Sequence, residues 1–488
     1  MILKIILSAG LLYCSFPNFI SADGFPVIAW FFAVPLLDAM NGLNVKKRLI
    51  VGLLFGLTAY SLLISWLWPV HAGGAILFAC ALDVQAIIFS IFLIPISRRW
   101  LEFFYVPALW SASEYARTQI FGGFCWSIGY SQSFYPPFIQ IAAWTGPYGV
   151  AFILMTVNYC LWRAWRCHRW RIAYLIAAIG VIAVVYGMGQ ISLSGISANR
   201  EVPAIHVAAL QGNIAASQKA DLKEFDHMID EQMEMTRRNL PSQPVDLLVW
   251  SETAFAADIF RDKIWYPRFK QLAVDHGSFF LFGAVPIEEG RYFNSAVLLN
   301  PAGDFQGTYH KQRLVPFSEY TPSGFLSSSF AHSLRLRGFA FSAGSRSVIF
   351  DIPSGHFGVM ICSEICYPSL ARGIKNAGAG FAVVTLNDGW FTQKAGVMMH
   401  AQNTIMRAVE NGIDIISVGN TGLTAHVDAA GRIVSRLPLQ EPSFGTFDVS
   451  LSDGKTFYAR NGDFFAALCS LFVIIIFVYQ SKIASRRL

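Results

Sequence analysis

Two patterns of apolar and polar positions divide the chain. Long apolar runs fill residues 3–21, 25–41, 49–69, 74–97, 103–125, 147–166, 171–190 and 463–481. Each is near the roughly 20 residues that carry a helix across the hydrocarbon core of a bilayer, so the pattern predicts eight membrane spans. Between the seventh and eighth runs the pattern changes. Short β-rich stretches at 206–210, 245–250, 279–285, 347–352, 357–361, 381–386 and 414–418 predict strands. Helical segments at 221–239 and 398–412 alternate with them, the second closed by Gly412. The expected fold is a multi-pass α-helical membrane bundle with an inserted α/β domain. Its parts are a bundle of about seven helices over 1–194, the α/β domain over 195–460, and a last helix with a tail over 461–488. The first run, with Lys4 ahead of a short apolar stretch, also fits a cleaved leader, which would start on the same side of the membrane.

Charge sharpens this picture. Hydrophobic residues make up 54% of the 488, charged residues 14%, and mean hydropathy is +0.45, which excludes a disordered chain and an ordinary cytosolic enzyme. The net charge of +6 lies wholly in the apolar part: residues 1–190 hold 11 basic and 5 acidic side chains, and 191–488 hold 26 of each. Nucleic acid is therefore not the partner that the excess implies; cytoplasmic loops of a membrane protein carry such an excess by themselves. Lys46, Lys47 and Arg48 follow the second run, Arg98 and Arg99 the fourth, and Arg163, Arg166, Arg169 and Arg171 crowd the sixth and seventh. If these mark the inner side, the α/β domain lies outside, and the tail with Lys482, Arg486 and Arg487 lies inside.

The candidate chemistry lies in the polar domain. Six of the eight cysteines fall in or beside apolar runs, with neither a disulfide framework nor a zinc spacing. Cys362 ends the stretch 357–361, with Ser363 and Glu364 next and a helix start near Tyr367 and Pro368. A thiol so placed is exposed near the positive end of a helix, which favours thiolate; the competing reading is a buried, inert cysteine. Cys366, one turn on, reads as a core residue or as a thiol able to form a disulfide. Glu252 lies just past the stretch 245–250, and Lys311 lies in the polar segment 309–319. A carboxylate beside a thiol can take its proton, and an ammonium can neutralise the oxyanion formed when sulfur attacks an acyl carbonyl. Glu114 and Arg117, three apart in the fifth run, are expected to pair with each other or to line a substrate path.

Glu252, Lys311 and Cys362 in this order resemble the nitrilase superfamily. Nearly the whole chain resembles the apolipoprotein N-acyltransferase family within it. The likeness rests on Trp110, Glu114, Arg117, Gly123, Trp126, Gly129 to Gln132, Gly146, Tyr148 and Gly149 in the membrane part. In the polar part it rests on residues 311–322, the run Asn387 to Phe391, His400, Arg407, Ala408, Glu410, Gly412, Asn420 to Gly422, and Thr456, Tyr458, Arg460 and Gly462. The resemblance implies an α-β-β-α sandwich in the polar domain, with Glu252 as general base, Lys311 as stabiliser of the tetrahedral intermediate and Cys362 as nucleophile. Glu319 and Glu364 match supporting acidic positions. Trp390 and Phe391 either line an acyl path or pack in the core. Ser363 stands where the family usually has an aromatic residue, so a ring contact with substrate at that position is not carried over.

The activity so implied moves a fatty acyl chain from a phospholipid, phosphatidylethanolamine, through a cysteine thioester to the N-terminal amine of a diacylated apolipoprotein. It uses no metal or other cofactor. It would occur in the bacterial inner membrane, with the catalytic domain on the periplasmic side. A membrane-anchored nitrilase-like amidase or hydrolase is the nearest alternative; a lipid-binding or transport protein with an inert outer domain is the alternative of another class.

Overall fold

A computed structural model describes residues 1–96, 98–198, 205–215, 218, 224–241, 245–316, 318–320, 340–391 and 393–485. Residues 221–223 of the predicted helix and the basic tail residues Arg486 and Arg487 lie outside the described residues. The chain forms two units, one of residues 1–198, 393–410 and 456–488, the other of 199–392 and 411–455.

The first unit is helical. Helical structure occupies each of the eight apolar runs: Ile2–Cys14, Pro26–Trp30 with Val34–Met40, Val45–Leu63, Ala72–Phe92, Arg99–Ile120, Pro147–Arg166, Arg171–Ala198 and Phe464–Ser485. Three helices, Ala72–Phe92, His168–Ile196 and Phe464–Lys482, are long and apolar enough to cross a membrane; 21 residues at 1.5 Å each reach about 31 Å. The first two runs differ from the expected full spans. Helix Ile2–Cys14 has 13 residues, and beyond it the Asn18 side chain accepts from the backbone of Ile20 at 2.8 Å and Ser21 at 3.1 Å, which turns the chain. In the second run Pro26 opens a short 3-10 helix and Pro35 a separate seven-residue helix. Helix Arg99–Ile120 carries the charged residues Arg99, Glu102, Glu114 and Arg117.

Glu114 and Arg117 do not bond to each other. The fully buried Glu114 carboxylate accepts from Trp110 Nε1 at 2.9 Å, Ser127 Oγ at 2.6 Å and the backbone of Ile128 at 2.9 Å. Arg117 donates to Gln85 Oε1 at 3.1 Å and to the Trp126 carbonyl. A buried charge needs several donors rather than one opposite charge, and the segment after the helix supplies them. Helix Lys394–Asn411 lies in the 195–460 stretch by sequence, yet residues 393–410 group with the helical unit. Its buried Arg407 pairs with Glu410 at 2.6 Å and donates to Tyr130 Oη at 2.9 Å.

The second unit is a two-sheet sandwich. Its strands are β1 (Ile205–Gln211), β2 (Leu247–Trp250), β3 (Phe279–Ala284), β4 (Ile287–Glu288), β5 (Arg291–Tyr292), β6 (Ser295–Leu299), β7 (Phe305–His310), β8 (Ile349–Ile352), β9 (Gly355–Ile361), β10 (Phe381–Leu386), β11 (Asp414–Gly419), β12 (Ala425–Val427), β13 (Ile433–Arg436) and β14 (Ser443–Val449). One sheet runs β14-β1-β2-β3-β6-β7 and the other β13-β12-β11-β10-β9-β8, with β4 and β5 as a separate hairpin. Side chains alternate between faces with the period of two that a pleated strand imposes. Ile205, Val207 and Ala209 of β1, with Val249 and Leu281, meet Val359, Ile361, Val383 and Ile416 of the other sheet in the inner core. Ala208, Leu210, Leu248, Trp250, Phe280 and Phe282 face outward and are covered by helices Phe225–Asn239 and Trp265–His276 through Ile229, Met233, Phe269 and Leu272. On the second sheet, helix Pro368–Asn376 sets Ile374 against Gly358 of β9, where a Cβ would come within 2.3 Å of Ile374 Cγ2. A larger residue at 358 would push that helix off the sheet.

The topology concentrates chemistry at one end. Strands β1, β2 and β3 are parallel, β6 runs against β3, and β7 runs against β6. The C-terminal ends of β2 and β7 and the N-terminal end of β6 therefore share an edge. Residues 311 and 294 adjoin those ends directly, and residue 252 lies two past the end of β2.

Candidate active site

Lys311, one residue past β7, is 1% exposed. Its Nζ lies 3.3 Å from Glu252 Oε1 and 2.9 Å from Glu319 Oε1. Asn294, immediately before β6, spans the same two carboxylates: its Nδ2 donates to Glu252 Oε1 at 2.8 Å and to Glu319 Oε1 at 3.0 Å. The Lys311 backbone donates to the Asn294 carbonyl at 2.8 Å, and Glu319 Oε2 accepts from the backbone of Val315 at 2.7 Å. Burial by itself would discharge the lysine, but the carboxylates of Glu252 and Glu319 outweigh it and hold the ammonium well above its ordinary range. The lysine is a permanent cation at physiological pH.

Cys362 follows β9 as the first residue of the 3-10 turn Cys362–Cys366 and adopts φ +54°. A non-glycine residue in the left-handed region stores about 1–3 kcal/mol of strain and persists only where its surroundings fix it. Glu364 does the fixing. Its fully buried carboxylate accepts from the backbone of Ile361 at 2.8 Å, Gln312 at 2.7 Å and Arg313 at 3.1 Å, and from Tyr309 Oη at 2.8 Å. It ties the turn holding Cys362 to the segment holding Lys311. Cys366 is buried and, like Cys362, a free thiol.

The Cys362 sulfur feels the other groups of the cluster. Burial pushes its thiol well above the ordinary range, Glu252, Asp388 and Glu319 push the same way, and Lys311 opposes them. The thiol therefore rests protonated beside a carboxylate. Alkylation of Cys362 by iodoacetamide should be slow at pH 7 and should speed up about tenfold per pH unit, still rising at the pH where an ordinary thiol levels off. Peptide mass analysis of timed samples reads this out, and a plateau near neutral pH would contradict it.

The structure thus joins Glu252, Lys311 and Glu319 by direct contacts, sets Cys362 within reach of their charge, and gives Glu364 a positioning place behind the turn of Cys362. Trp390 and Phe391 lie on the turn after β10, with Trp390 half exposed. Within that run it is Asp388, 1% exposed, whose charge acts on Cys362. Sequence reasoning did not single out Asn294, and it met Asp388 only as a member of the run Asn387 to Phe391, without a role. The one available signal for Asn294 is a polar pair, Asn294 and Ser295, set before the apolar run 296–299.

Buried Glu252 and Lys311 with a half-buried Cys362 at the strand ends of a two-sheet sandwich fit a carbon-nitrogen hydrolase domain, and residues 206–458 match the family model described as carbon-nitrogen hydrolase. Residues 8–160 match the model described as apolipoprotein N-acyltransferase N-terminal domain. An apolipoprotein N-acyltransferase of Geobacter metallireducens is 31% identical over 96% of this chain and 92% of its own length. One of Thermotoga maritima is 27% identical over 99% and 94%. The chain belongs to the apolipoprotein N-acyltransferase family and is a bacterial membrane acyltransferase. Among solved structures, an amidase from Nesterenkonia sp. is similar over 54% of this chain and 94% of its own, at 16% identity and a TM-score of 0.39.

Proposed function

We propose that Cys362 carries a fatty acyl group from a phospholipid to the N-terminal amine of a diacylated apolipoprotein. The observation that carries the reading is the buried Glu252–Lys311–Glu319 cluster acting on the Cys362 sulfur. In the first half-reaction Glu252 takes the thiol proton as sulfur attacks the ester carbonyl, and a lysophospholipid leaves with that proton. A lysine ammonium has three N–H donors. Two serve Glu252 and Glu319, and the third is available for the oxyanion of the tetrahedral intermediate. In the second half-reaction the acceptor amine attacks the thioester, the C–S bond breaks, and the amide forms.

Phosphatidylethanolamine is the proposed donor, and the inner membrane, with the α/β domain on its periplasmic side, the proposed setting. Three helices long and apolar enough to cross a membrane support that setting, and the alternation of basic connections supports the proposed eight crossings with the catalytic residues between 195 and 460 on the outer side. Acyl chains leave a bilayer at a cost of about 0.8 kcal/mol per methylene, so both substrates stay at its surface.

The test supplies the purified, detergent-solubilised protein with phosphatidylethanolamine and a diacylated lipopeptide. Acyl transfer to the peptide, with ping-pong kinetics, is the expected result. Release of free fatty acid at the same rate with and without peptide would make the protein a hydrolase.

A further inference from the structure

The mechanism above leaves one buried carboxylate beside the nucleophile without work. Asp388 starts the 3-10 turn Asp388–Trp390 after β10. Strands β9 and β10 are parallel neighbours with Thr385 opposite Ile361, so Leu386 stands level with Cys362 and Asp388 two residues beyond, one strand spacing, about 4.8 Å, to the side. The position is held firmly. Asn387 Nδ2 donates to Thr253 Oγ1 at 3.2 Å, next to Glu252, and Asn387 Oδ1 accepts from Asn420 Nδ2 at 3.1 Å. Asn420 in turn grips the segment after β1, donating to the Ile214 carbonyl at 2.7 Å and accepting from its N–H at 3.0 Å. Gly422 fits against the carboxylate so closely that a Cβ there would fall 2.3 Å from Asp388 Oδ2. Four loops are thus stitched together around an acidic side chain that is 1% exposed.

That placement works against the first half-reaction, because a second negative charge beside the sulfur disfavours thiolate. It favours the second. Once Cys362 is acylated the sulfur is neutral, and the incoming acceptor brings an α-amino group of ordinary pKa about 7.7–8.0, mostly ammonium at neutral pH. We propose that Asp388 is the docking residue for the acceptor's α-ammonium, holding the nitrogen beside the thioester while Glu252 and Lys311 serve the carbonyl. As the amide forms, the nitrogen loses two protons: one passes by way of Glu252 to the departing Cys362 sulfur, and the other is released to solvent. The inference rests on the acyl-transfer reading and adds the acceptor's binding group to it.

Asp388→Asn keeps the shape and removes the charge, and the two half-reactions should respond with opposite signs. With phosphatidylethanolamine alone, acylation of Cys362, followed by intact mass, and its alkylation by iodoacetamide should both become faster. With a diacylated lipopeptide added, transfer should fall by about 10–100-fold, the size of a lost charge-assisted hydrogen bond, mainly through KM for the peptide, and the thioester should accumulate. Hydroxylamine, a nucleophile that is neutral at pH 7, should clear that thioester at the wild-type rate. Transfer at the wild-type rate would overturn the proposal. So would an equal loss in both half-reactions, which marks a structural role. Wild-type protein that never forms a thioester would instead overturn the acyl-transfer reading itself.

Discussion

Replacing Cys362 by alanine should leave a folded protein that forms no acyl-enzyme. With phosphatidylethanolamine, the wild type gains the mass of one acyl chain, removable by hydroxylamine, and Cys362→Ala gains none; turnover falls by at least about 10⁴-fold. The backbone is not the reason for this loss. Alanine, like cysteine, carries a Cβ, so the strain at φ +54° is the same in both. Glycine separates chemistry from stability. Cys362→Gly relieves the left-handed strain and should raise thermal stability by about 1 kcal/mol while being as inactive as alanine. A hydroxylamine-sensitive adduct persisting in Cys362→Ala would move the nucleophile to Cys366, the other thiol on the same turn.

Which parts of this molecule can be read from its sequence follows from where each part finds its partners. Strands β1, β2, β3, β9, β10 and β11 stand within a residue or two of the apolar stretches, because they are flanked on both sides and need continuous apolar side chains, and the edge strand β8 is found as well because Phe350 and Ile352 put two large apolar side chains into the core. Other edge and near-edge strands escape. β7 reads Phe-Gln-Gly-Thr-Tyr-His with two exposed positions at its start, and β14 contains Gly445 and Asp448 and is defined by pairing with β1, more than 200 residues away. No local pattern encodes that partner. The strand-end placement of Glu252 and Cys362 is legible because strand and polar residue are adjacent. Asn294 is not, since its work is done on groups 42 and 25 residues distant. Glu364 is visible as an acid near the thiol, but its four donors come from residues 309, 312, 313 and 361, and only the folded chain shows that it braces the nucleophile's turn. Helix Lys394–Asn411 shows the same limit at the level of units: its buried Arg407, paired with Glu410, finds Tyr130 in the helical unit, which amphipathic spacing alone does not reveal.

Lys311→Met should be the most damaging change that keeps the nucleophile. The oxyanion loses its cation, which costs acylation at least about 100-fold. A second loss falls on the base. With the ammonium gone, Glu252 and Glu319 face each other across Asn294 alone, two buried carboxylates without a positive charge between them. Breaking a buried ion pair from one side costs about 3–5 kcal/mol unless the stranded charge is neutralised, and the pair can neutralise itself by binding one proton. The variant should therefore fold with one carboxylate protonated at neutral pH. The sign of the pH dependence follows: the proton held between the stranded carboxylates must leave before one of them can accept from the thiol, so the residual acylation rate of Lys311→Met should climb with pH more steeply than the wild-type rate. Single-turnover acylation measured from pH 6 to 9 reads this out. A variant with near wild-type rate, or with a uniformly reduced rate that follows the wild-type pH profile, would remove Lys311 from the oxyanion and show that its charge does not tune Glu252.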